Sequence, residues 1–434
     1  MELSGEQAAV FEAIESTRDH IFVTGRAGTG KSTLLTHLNW HTDKNIVIAA
    51  PTGVAALNVG GQTIHSLFRL PIGVIADHDI EQNDSVRKIL NAMDTLVIDE
   101  VSMVNADLMD AIDRSLRQAR QRRREPFGGA QVVLFGDPYQ LAPVPGDGPE
   151  RAYFADTYAS MWFFDARVWR EASLRIFELS DVHRQHDANF RHMLNAVRHG
   201  QVTSDIAGTL NEVGARRPLP EQGVLTLATR NDTVNQINAT ALHRLPGHSR
   251  TREAEINGDF GGRAFPAEER LELKVGAQVM FLRNDTVSGT DKQRWVNGTL
   301  GEVTVLGDDV KVTVDGVQHT VEPVTWERFR YSWDARTKKL ERDVVAEFTQ
   351  YPLRLAWAVT IHKSQGASYE AAIVDLGARA FTPGQTYVAL SRLTSLEGLY
   401  LARPLRPSDI MVDPDVERFM SGRVGFGCGA VGLL

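Results

Sequence analysis

The feature that most constrains the fold is a glycine-rich segment between an apolar run and a helical stretch. Residues 25–33 read GRAGTGKST, follow the apolar residues 21–23 and match the pattern G-x-x-x-x-G-K-[ST] at every fixed position. Glycines in this pattern let backbone N–H groups curl around an anion at the start of a helix. The sequence therefore predicts a phosphate-binding loop between a buried strand and a helix.

The parts of this loop have distinct expected roles. Lys31 is expected to reach the β and γ oxygens of a nucleoside triphosphate, and Ser32 is expected to bind Mg²⁺ through its hydroxyl. The residues predicted to hold the nucleotide are Gly25, Gly28, Thr29, Gly30, Lys31, Ser32 and Thr33. The alternative is a glycine-rich turn with a chance lysine, and the flanking strand and helix patterns argue against it.

Two further polar segments follow short apolar runs. Asp99 and Glu100 come directly after one run, and Asp137 and Gln140 follow the next. Polar side chains at the carboxyl ends of parallel strands meet in the crevice where an α/β sheet binds its ligand. Asp99 is predicted to complete the Mg²⁺ sphere and Glu100 to polarise the attacking water. Asp137 and Gln140 are predicted to sense the γ-phosphate.

The order of the apolar runs predicts an α/β protein. Short β-branched runs alternate with helical stretches in the first part of the chain, which is typical of a mostly parallel sheet covered by helices on both faces. The pattern returns after about residue 224, so a second α/β unit is expected. Residues 271–348 are rich in turns and predict a small antiparallel barrel inserted into this second unit.

Composition excludes several classes of protein. The chain has 434 residues, 42% of them apolar, and can bury several cores. No apolar run approaches the ~20 residues needed to cross a membrane, and the first residues show no secretion signal. The single cysteine, Cys428, excludes an internal disulfide. We expect an intracellular protein without a membrane partner, cytoplasmic and nucleoid-associated if the host is bacterial.

The segment around Asp137 resembles a motif of a known superfamily. Residues 134–144 read LFGDPYQLAPV, and the third motif of superfamily-one helicases reads Gly-Asp-x-x-Gln-Leu-x-Pro-Val. Other segments resemble motifs of the same superfamily in the expected order. They are LSGEQ at 3–7, APTGVAA at 50–56, TIHSLF at 63–68, LSDVHRQ at 179–185, AWAVTIHKSQG at 356–366 and YVALSR at 387–392. The resemblance thus covers nearly all of the chain.

One segment narrows the resemblance to a family. An arginine-bearing helix is expected at 107–124, and EPFGGAQ follows it at 125–131. This arrangement resembles the signature of the petite-integration-frequency (Pif-one) helicases, and PLRLAW at 352–357 is similar to that family too. Ala142 departs from the family, which commonly has a second proline there, and only a mild local effect is expected.

The resemblance implies a fold class and a division into domains. It implies two RecA-like P-loop domains, each a parallel sheet with helices on both faces, and an SH3-like β-barrel inserted in the second. The expected boundaries are 1–175 for the first domain with a small wedge insertion at 71–85, 176–270 and 349–420 for the second domain, 271–348 for the insertion, and 421–434 for a flexible tail.

The resemblance also implies an activity. It implies an ATP-dependent DNA helicase that moves 5′ to 3′ on single-stranded DNA, uses ATP and Mg²⁺, and unwinds tailed duplex, with G-quadruplexes and RNA–DNA hybrids as further candidate substrates. The family serves DNA repair, recombination and telomere maintenance. Gln7 is expected to read adenine, Arg184 and Arg392 to face the γ-phosphate, and Gly366 to lie at the nucleotide. A monomer is expected, with a DNA-induced dimer as the alternative.

Strand-binding residues are expected in both α/β units. Backbone phosphates and bases are predicted to contact Thr52, Gly53, His65, Ser66, Phe68, His362, Lys363 and Ser364. The alternatives are that His65 is a satisfied core histidine and that Phe68 is a core aromatic. Arg114, Arg117 and Arg120 share one helix face at a spacing of three, which predicts either an electrostatic rail for phosphates or a solvated face.

Two rival functions remain open at this point. A RecD-like helicase of a recombination complex would have the same direction of movement, but it usually lacks the Phe-Gly-Gly segment. A DNA-stimulated ATPase clamp without unwinding would need a defect in a motif that joins the two units. Arg184, Gln185, Gln365 and Arg392 are all present, which favours the helicase.

Overall fold

The chain folds into two compact units. The computed structural model describes residues 3–80, 82–143, 148–182, 185, 187–218, 223–258, 265–285, 294–334, 336–337 and 339–421. The first unit takes in the described parts of Met1–His183, Glu327–Val345 and Asp413–Leu434. The second takes in the described parts of Arg184–Trp326 and Ala346–Val412.

A six-stranded parallel sheet forms the centre of the first unit. Its four central strands are almost wholly buried, as expected for a sheet covered on both faces, whereas the edge strand formed by residues 174–179 is only partly buried. They are β1 (His20–Gly25), β2 (Ile46–Ala50), β3 (Gln62–Thr63), β4 (Thr95–Ile98), β5 (Gln131–Phe135) and β6 (Leu174–Leu179). The strand order is β3-β2-β4-β5-β1-β6, so the carboxyl ends of β4, β5 and β1 are neighbours.

Helices cover this sheet and begin at polar caps. Ser4, Thr52, Thr63, Asn83 and Asn105 each accept a hydrogen bond from a backbone N–H of the helix that follows. The helices are α1 (Gly5–Ser16), α2 (Lys31–His41), α3 (Gly53–Asn58), α4 (Ile64–Phe68), α5 (Asp84–Ala92), α6 (Ala106–Ala119) and α7 (Gly148–Thr157). Short 3-10 helices occur at Asp77–Asp79, Val101–Met103, Pro126–Gly129, Phe163–Asp165 and Arg167–Arg170.

The later part of the chain adds strands of two kinds. They are β7 (Leu225–Ala228), β8 (Arg250–Glu253), β9 (Glu255–Gly258), β10 (Arg270–Leu273), β11 (Gln278–Phe281), β12 (Leu300–Leu306), β13 (Val310–Val314), β14 (Val317–Val321), β15 (Val324–Asp334), β16 (Lys339–Gln350), β17 (Leu353–Leu355), β18 (Ala358–Thr360), β19 (Ala372–Asp375) and β20 (Leu399–Leu401). Four of them form the parallel sheet of the second unit in the order β18-β7-β19-β20.

The remaining helices belong mainly to the second unit. They are α8 (Ala188–Arg198), α9 (Ser204–Gly214), α10 (Asn231–Arg244), α11 (Gln385–Leu390) and α12 (Pro414–Ser421), with a 3-10 helix at Pro407–Asp409. In that unit α10 packs against β18 and α9 against β20. Helix α12 groups with the first unit, where the indole of Trp162 donates to Asp413 at 2.9 Å.

An antiparallel sheet of five strands lies within the second unit. Its order is β14-β13-β12-β11-β17, and its apolar residues Val279, Val303 and Val312 form a separate core together with Leu271 of β10. The rings of Phe281 and Trp295 stack in this core with centroids 4.3 Å apart. The α/β class is confirmed, and the β-rich texture predicted for 271–348 is that of strands β11 to β16.

The boundaries of this β-rich part differ from those expected. Strand β17 completes the sheet from beyond residue 348, because its residues pair with β11. The long strand β16 pairs with β15 on one side and with β9 on the other, and the part of this hairpin at Glu327–Val345 groups with the first unit. The hydroxyl of Tyr331 there accepts the backbone N–H of Ile48 at 3.1 Å. The predicted tail at 421–434 lies outside the described residues, apart from Ser421 at the end of α12.

Candidate nucleotide and nucleic-acid site

The phosphate-binding loop connects β1 to α2 as predicted. Gly25, Gly28 and Gly30 all have positive φ angles, of 148°, 85° and 79°. A Cβ atom on Gly25 would lie 2.5 Å from the carbonyl oxygen of Leu179, so a side chain cannot be accommodated there. Helix α2 begins at Gly30 without a side-chain cap, which leaves its first N–H groups directed at the loop. The loop therefore has the cradle geometry that an anion requires.

Lys31 reaches back across this loop. Its Nζ donates to the carbonyl oxygens of Gly25 at 2.6 Å and Arg26 at 3.0 Å. The hydroxyl of Thr29 donates to the same carbonyl of Arg26 at 3.0 Å. The lysine is thus held over the cradle, where a phosphate would replace these carbonyl contacts as its partner.

Gln7 lies beside the loop, and both ends of its amide have partners. Its Oε1 accepts the N–H of Ser4 at 2.9 Å, which completes a capping box for α1. Its Nε2 donates to the carbonyl of Gly30 at 3.1 Å. Gln7 therefore ties α1 to the start of α2, and its amide keeps a second N–H and a second lone pair that these two bonds do not use.

Asp99 and Glu100 follow β4 at the same edge of the sheet. The N–H of Asp99 donates to Ala49 at 2.9 Å, and Glu100 adopts a left-handed backbone conformation with φ of 50°. Burial and then the charge of Glu100 raise the pKa of Asp99 to about 7, while Lys31 acts in the opposite direction. Two adjacent carboxylates beside one lysine form a site that an additional cation would stabilise.

Asp137 and Gln140 follow β5, between the other two polar segments. Both side chains are buried. Gln140 Nε2 lies 3.5 Å from Asp137 Oδ2, and Asp137 Oδ1 accepts the N–H of Tyr139 at 3.2 Å. The strand order β4-β5-β1 therefore brings the carboxylate pair, the Asp137–Gln140 pair and the phosphate loop together at one edge of the sheet.

These residues fit a nucleotide with Mg²⁺. Ser32 lies in the first turn of α2, and Asp99 directly follows β4 at the same edge of the sheet. A hydroxyl and a carboxylate are oxygen ligands, and Mg²⁺ prefers oxygen ligands. Within the described residues, no group of three or more His, Cys, Asp or Glu is placed to hold a metal ion by itself.

In the second unit, Arg392 is deeply buried and organises a loop. Its guanidinium donates to the carbonyl of Val388 at 3.1 Å, to the carbonyl of Ser364 at 3.4 Å and to the hydroxyl of Ser391 at 2.9 Å. Gln185 supports the same region by donating to Ser391 and Leu393. In this structure Arg392 thus holds the segment that contains Gly366, which has a φ of 81°. Arg184 lies outside the described residues.

The strand-binding residues predicted in the first unit occupy varied positions. The hydroxyl of Thr52 caps α3, which begins at Gly53. Ser66 accepts a hydrogen bond from Arg328 at 3.3 Å. Burial lowers the pKa of His65. Phe68 is only 1% exposed, so the predicted stacking on a base does not fit its position, and the alternative of a core aromatic describes it better.

In the second unit the predicted strand-binding residues also separate into two groups. Lys363 is exposed, and His362 is half-buried with a pKa lowered by burial. Ser364 is fully buried, and its hydroxyl donates to the carbonyl of Ile361 at 2.8 Å. The side chain of Ser364 therefore supports the loop, whereas Lys363 is exposed at the surface of this unit.

The row of arginines on α6 is structural, and neither proposed alternative describes it. Arg114 donates to the carbonyl of Ile75, and Arg117 forms ion pairs with Asp113 and Glu171. Arg120 donates to the carbonyls of Leu90, Asn91, Met93 and Gly128. These side chains connect α6 to segments that are distant in sequence, which a helical spacing alone could not reveal.

Three buried carboxylates of α6 have a structural role that was not predicted from the sequence. Asp107, Asp110 and Asp113 are buried on one face of α6. They accept the backbone N–H groups of Ile75, Val168 and Phe127, respectively. Their spacing of three was a signal for a shared face, although acidic residues at this spacing usually face solvent.

The fold and this edge of the sheet define a P-loop nucleoside triphosphatase built on RecA-like units. A family model described as PIF1-like helicase matches residues 2–207, and one described as DNA helicase Pif1, 2B domain, matches residues 263–306. The ATP-dependent DNA helicase Pif1 of Bdellovibrio bacteriovorus is 35% identical over an alignment of 434 positions, which spans 96% of this chain and 92% of the relative. The chain belongs to the PIF1-like helicase family.

Other relatives are longer than this chain. The ATP-dependent DNA helicase PIF1 of Danio rerio is 37% identical over 410 residues, and the match spans 92% of this chain but 60% of that relative. Among solved structures, Pif1 from Bacteroides sp in complex with ADP-AlF4 has a TM-score of 0.89 at 36% identity, with 97% of each chain covered. Bacteroides Pif1 bound to ssDNA has a TM-score of 0.70 at 37% identity, again with 97% of each covered.

Within the described residues, every helix is too short or too polar to pass through a bilayer.

Proposed function

We propose that this chain is an ATP-dependent DNA helicase that moves 5′ to 3′ along single-stranded DNA and separates tailed duplexes. The observation that carries the proposal is the convergence of the phosphate loop, Asp99–Glu100 and Asp137–Gln140 on one sheet edge in a member of a helicase family. The names of the relatives and the solved complexes of Bacteroides Pif1 with ADP-AlF4 and with ssDNA support both ligands. The direction of movement rests on the family resemblance.

The residues of the first unit supply most of the proposed chemistry. The positive-φ glycines and the uncapped start of α2 would hold the phosphates, and Lys31 would neutralise charge on the β and γ oxygens. Ser32 and Asp99 would hold Mg²⁺, which supplies charge neutralisation at the transferred phosphoryl group. Glu100 would orient and activate water, and Gln140 would sense the γ-phosphate through its contact with Asp137.

The other assignments belong to the same proposal. Arg184 and Arg392 are proposed to respond to the γ-phosphate, which for Arg392 requires exchange of its present carbonyl partners. Residues 71–85 are proposed as the strand-separating wedge, and the five-stranded antiparallel sheet as an SH3-like insertion. We further propose a cytoplasmic protein that works as a monomer, with assembly into a dimer on DNA as the alternative.

Two other functions make different predictions. A DNA-stimulated ATPase clamp would hydrolyse ATP on single strands without opening any duplex. A RecD-like helicase would require a recombination complex for full activity. The Phe-Gly-Gly segment, whose Phe127 backbone N–H is bonded to Asp113, favours the PIF1-like function.

Strand separation of two matched duplexes tests the proposal. One duplex carries a 5′ single-stranded tail and the other a 3′ tail of the same sequence composition, and both are incubated with ATP and Mg²⁺. We expect the purified chain to open only the 5′-tailed duplex. Opening of the 3′-tailed duplex alone would contradict the direction, and DNA-stimulated hydrolysis without opening of either duplex would identify a clamp.

A further inference from the structure

Three hydrogen-bond donors of the second unit lack an acceptor within the described part of the chain. The Nε atom of Arg354 and the Nε2 atom of Gln365 are both buried without a hydrogen-bond partner. Lys363, two residues before Gln365, is exposed, and its ammonium forms no ion pair with any described residue. Buried donors are normally satisfied, so an acceptor that is not part of these residues is expected.

The sheet geometry places Arg354 on the face that is covered by the loop carrying Lys363 and Gln365. Arg354 of β17 is the direct antiparallel partner of Met280 in β11, so the two side chains lie on the same face of the sheet. The hydroxyl of Tyr369 lies 3.8 Å from the sulfur of Met280. Tyr369 ends the loop that contains Lys363 and Gln365. The face of the sheet that carries Arg354 is therefore the face that this loop covers.

Two positive charges, those of Arg354 and Lys363, lie near a single carboxylate, that of Glu268. Burial lowers the pKa of Arg354, and Glu268 opposes that shift. Burial and then the positive charge of Arg354 lower the pKa of Lys363, which is again opposed by Glu268. Two cations therefore repel each other near one exposed carboxylate. Leaving the buried Nε of Arg354 without an acceptor is costly, and an anion with several acceptor oxygens would remove that cost.

We propose that Arg354, Lys363 and Gln365 form a binding site for a phosphodiester group of single-stranded DNA, with Arg354 as a strand contact outside the helicase motifs. The proposal rests on the helicase function proposed above. All three side chains offer donors, the guanidinium offers a planar fork and the ammonium a mobile point charge, which together suit the oxygens of a phosphate. Phosphates of a free nucleotide share this chemistry, and the test below separates the two sources.

Salt-dependent binding of a fluorescent oligo-dT measures the contact. For Arg354→Gln we expect the dissociation constant to rise by roughly tenfold, and the slope of log affinity against log salt to become shallower by about 0.7, the value for one phosphate contact on a single strand. The matched control is Arg250→Gln, which removes the same charge from an exposed position on β8. We expect the control to retain the wild-type affinity, slope and ATP hydrolysis.

A stability measurement separates binding from a structural role. In Arg354→Met the guanidinium, whose buried Nε lacks an acceptor, is replaced by an apolar chain of similar length, so the melting temperature without DNA should stay equal or rise while strand binding weakens. A lower melting temperature together with unchanged binding per folded molecule would overturn the proposal.

Three other results have definite meanings. Wild-type affinity and slope in Arg354→Gln would overturn the proposal. A higher KM for ATP with unchanged strand binding would assign the site to nucleotide phosphates and would overturn it too. If the wild-type chain binds no single strand, the proposed function fails instead, and the two failures are therefore distinguishable.

Discussion

At two places in the first unit, the backbone of one segment passes so close to another segment that only glycine fits. Gly25 allows the phosphate loop to pass the carbonyl of Leu179, and Gly128 allows the Pro126–Gly129 turn to pass α6. The φ angle of Gly128 is 58°, and a Cβ atom there would lie 2.6 Å from the carbonyl oxygen of Leu116. The Phe-Gly-Gly segment therefore has a steric reason for its glycines that is independent of any ligand.

We predict that Gly128→Ala destabilises the protein by about 2 kcal/mol or more, because backbone atoms cannot yield to the new methyl group. Chemical denaturation followed by circular dichroism measures the change. The matched control is Gly208→Ala within α9, where a Cβ atom would meet nothing within 4 Å. The control should be stabilised by about 0.5–1 kcal/mol, since alanine favours a helix. Equal effects of the two changes would contradict the steric argument.

The burial of His20 leads us to expect that the free energy of unfolding depends on pH. Its Nδ1 accepts the N–H of Val132 at 3.1 Å, and its ring packs against those of Phe127 and Trp169. Burial lowers its pKa from 6.5 to about 4, so the folded state disfavours the protonated ring. Stability from this residue is therefore complete above pH 6.5 and is lost as the pH falls from 6.5 to 4, by up to about 3 kcal/mol.

The measurement compares the wild type with His20→Asn, whose side-chain oxygen can accept the same N–H but does not titrate. We expect the variant to be less stable at pH 7, because ring contacts are lost, and its deficit to shrink as the pH approaches 4. A deficit that is constant across this range would show that His20 does not couple to protons in the folded state.

Helix α6 acts as a connecting element. Its buried carboxylates bind backbone N–H groups from three remote segments, and Arg114 and Asp107 together hold the carbonyl and the N–H of Ile75. The segment before Ile75 is consequently anchored at its base, while Ile72 is 92% exposed. A rigid base with an exposed apolar tip is the arrangement that strand separation at 71–85 would require.

We predict that Ile72→Ser lowers the rate of duplex unwinding by roughly tenfold, which corresponds to about 1.4 kcal/mol of lost transition-state stabilisation. ATP hydrolysis stimulated by single strands should remain near that of the wild type, since the tip is not needed for movement on a single strand. Val275→Ser is a suitable control, because Val275 is also an exposed apolar residue, at 52%, but lies outside the wedge. If Ile72→Ser lowered the rate of ATP hydrolysis as much as the rate of duplex unwinding, a wedge role for Ile72 would be contradicted.

The sequence was most informative where an element carries its own signal. The loop from β1 to α2 follows a fixed local pattern, and the strand ends at Asp99 and Asp137 follow apolar runs, so their positions could be predicted. The arginines of α6 were predicted to share a face, but their partners Ile75, Met93 and Glu171 come from segments whose placement depends on tertiary packing. The prediction that Phe68 stacks on a base did not fit for the same reason, because the local sequence pattern does not distinguish a buried ring from an exposed one.

At the scale of the whole molecule, the alternation of strands and helices predicted the α/β class because the central strands of the first sheet are buried on both faces. The β-rich part was predicted as one block, yet its outer hairpin at Glu327–Val345 groups with the first unit. Tyr331 and Phe329 accept hydrogen bonds from Ile48 and Gln62 there, across more than 260 positions of sequence. No periodicity in the sequence carries information on such a long-range pairing.

These long-range contacts should contribute to stability. Tyr331→Phe removes the acceptor of the buried N–H of Ile48 and should cost about 1–3 kcal/mol. Tyr351→Phe is the matched control, because the hydroxyl of Tyr351 has no hydrogen bond among the described residues. Thermal unfolding of the two variants measures the difference, and an equal melting temperature for both would show that the Ile48 contact contributes nothing.

The central claim is that ATP hydrolysis at the phosphate loop drives strand separation, while the strand is bound by other residues. Lys31→Ala tests this claim most directly, with hydrolysis, single-strand binding and opening of a 5′-tailed duplex measured on the same preparation. We predict that hydrolysis falls by about 10²-fold or more, that duplex opening is lost, and that single-strand affinity stays within about threefold of the wild type. Duplex opening at the wild-type rate, or loss of strand binding in a folded variant, would contradict the account.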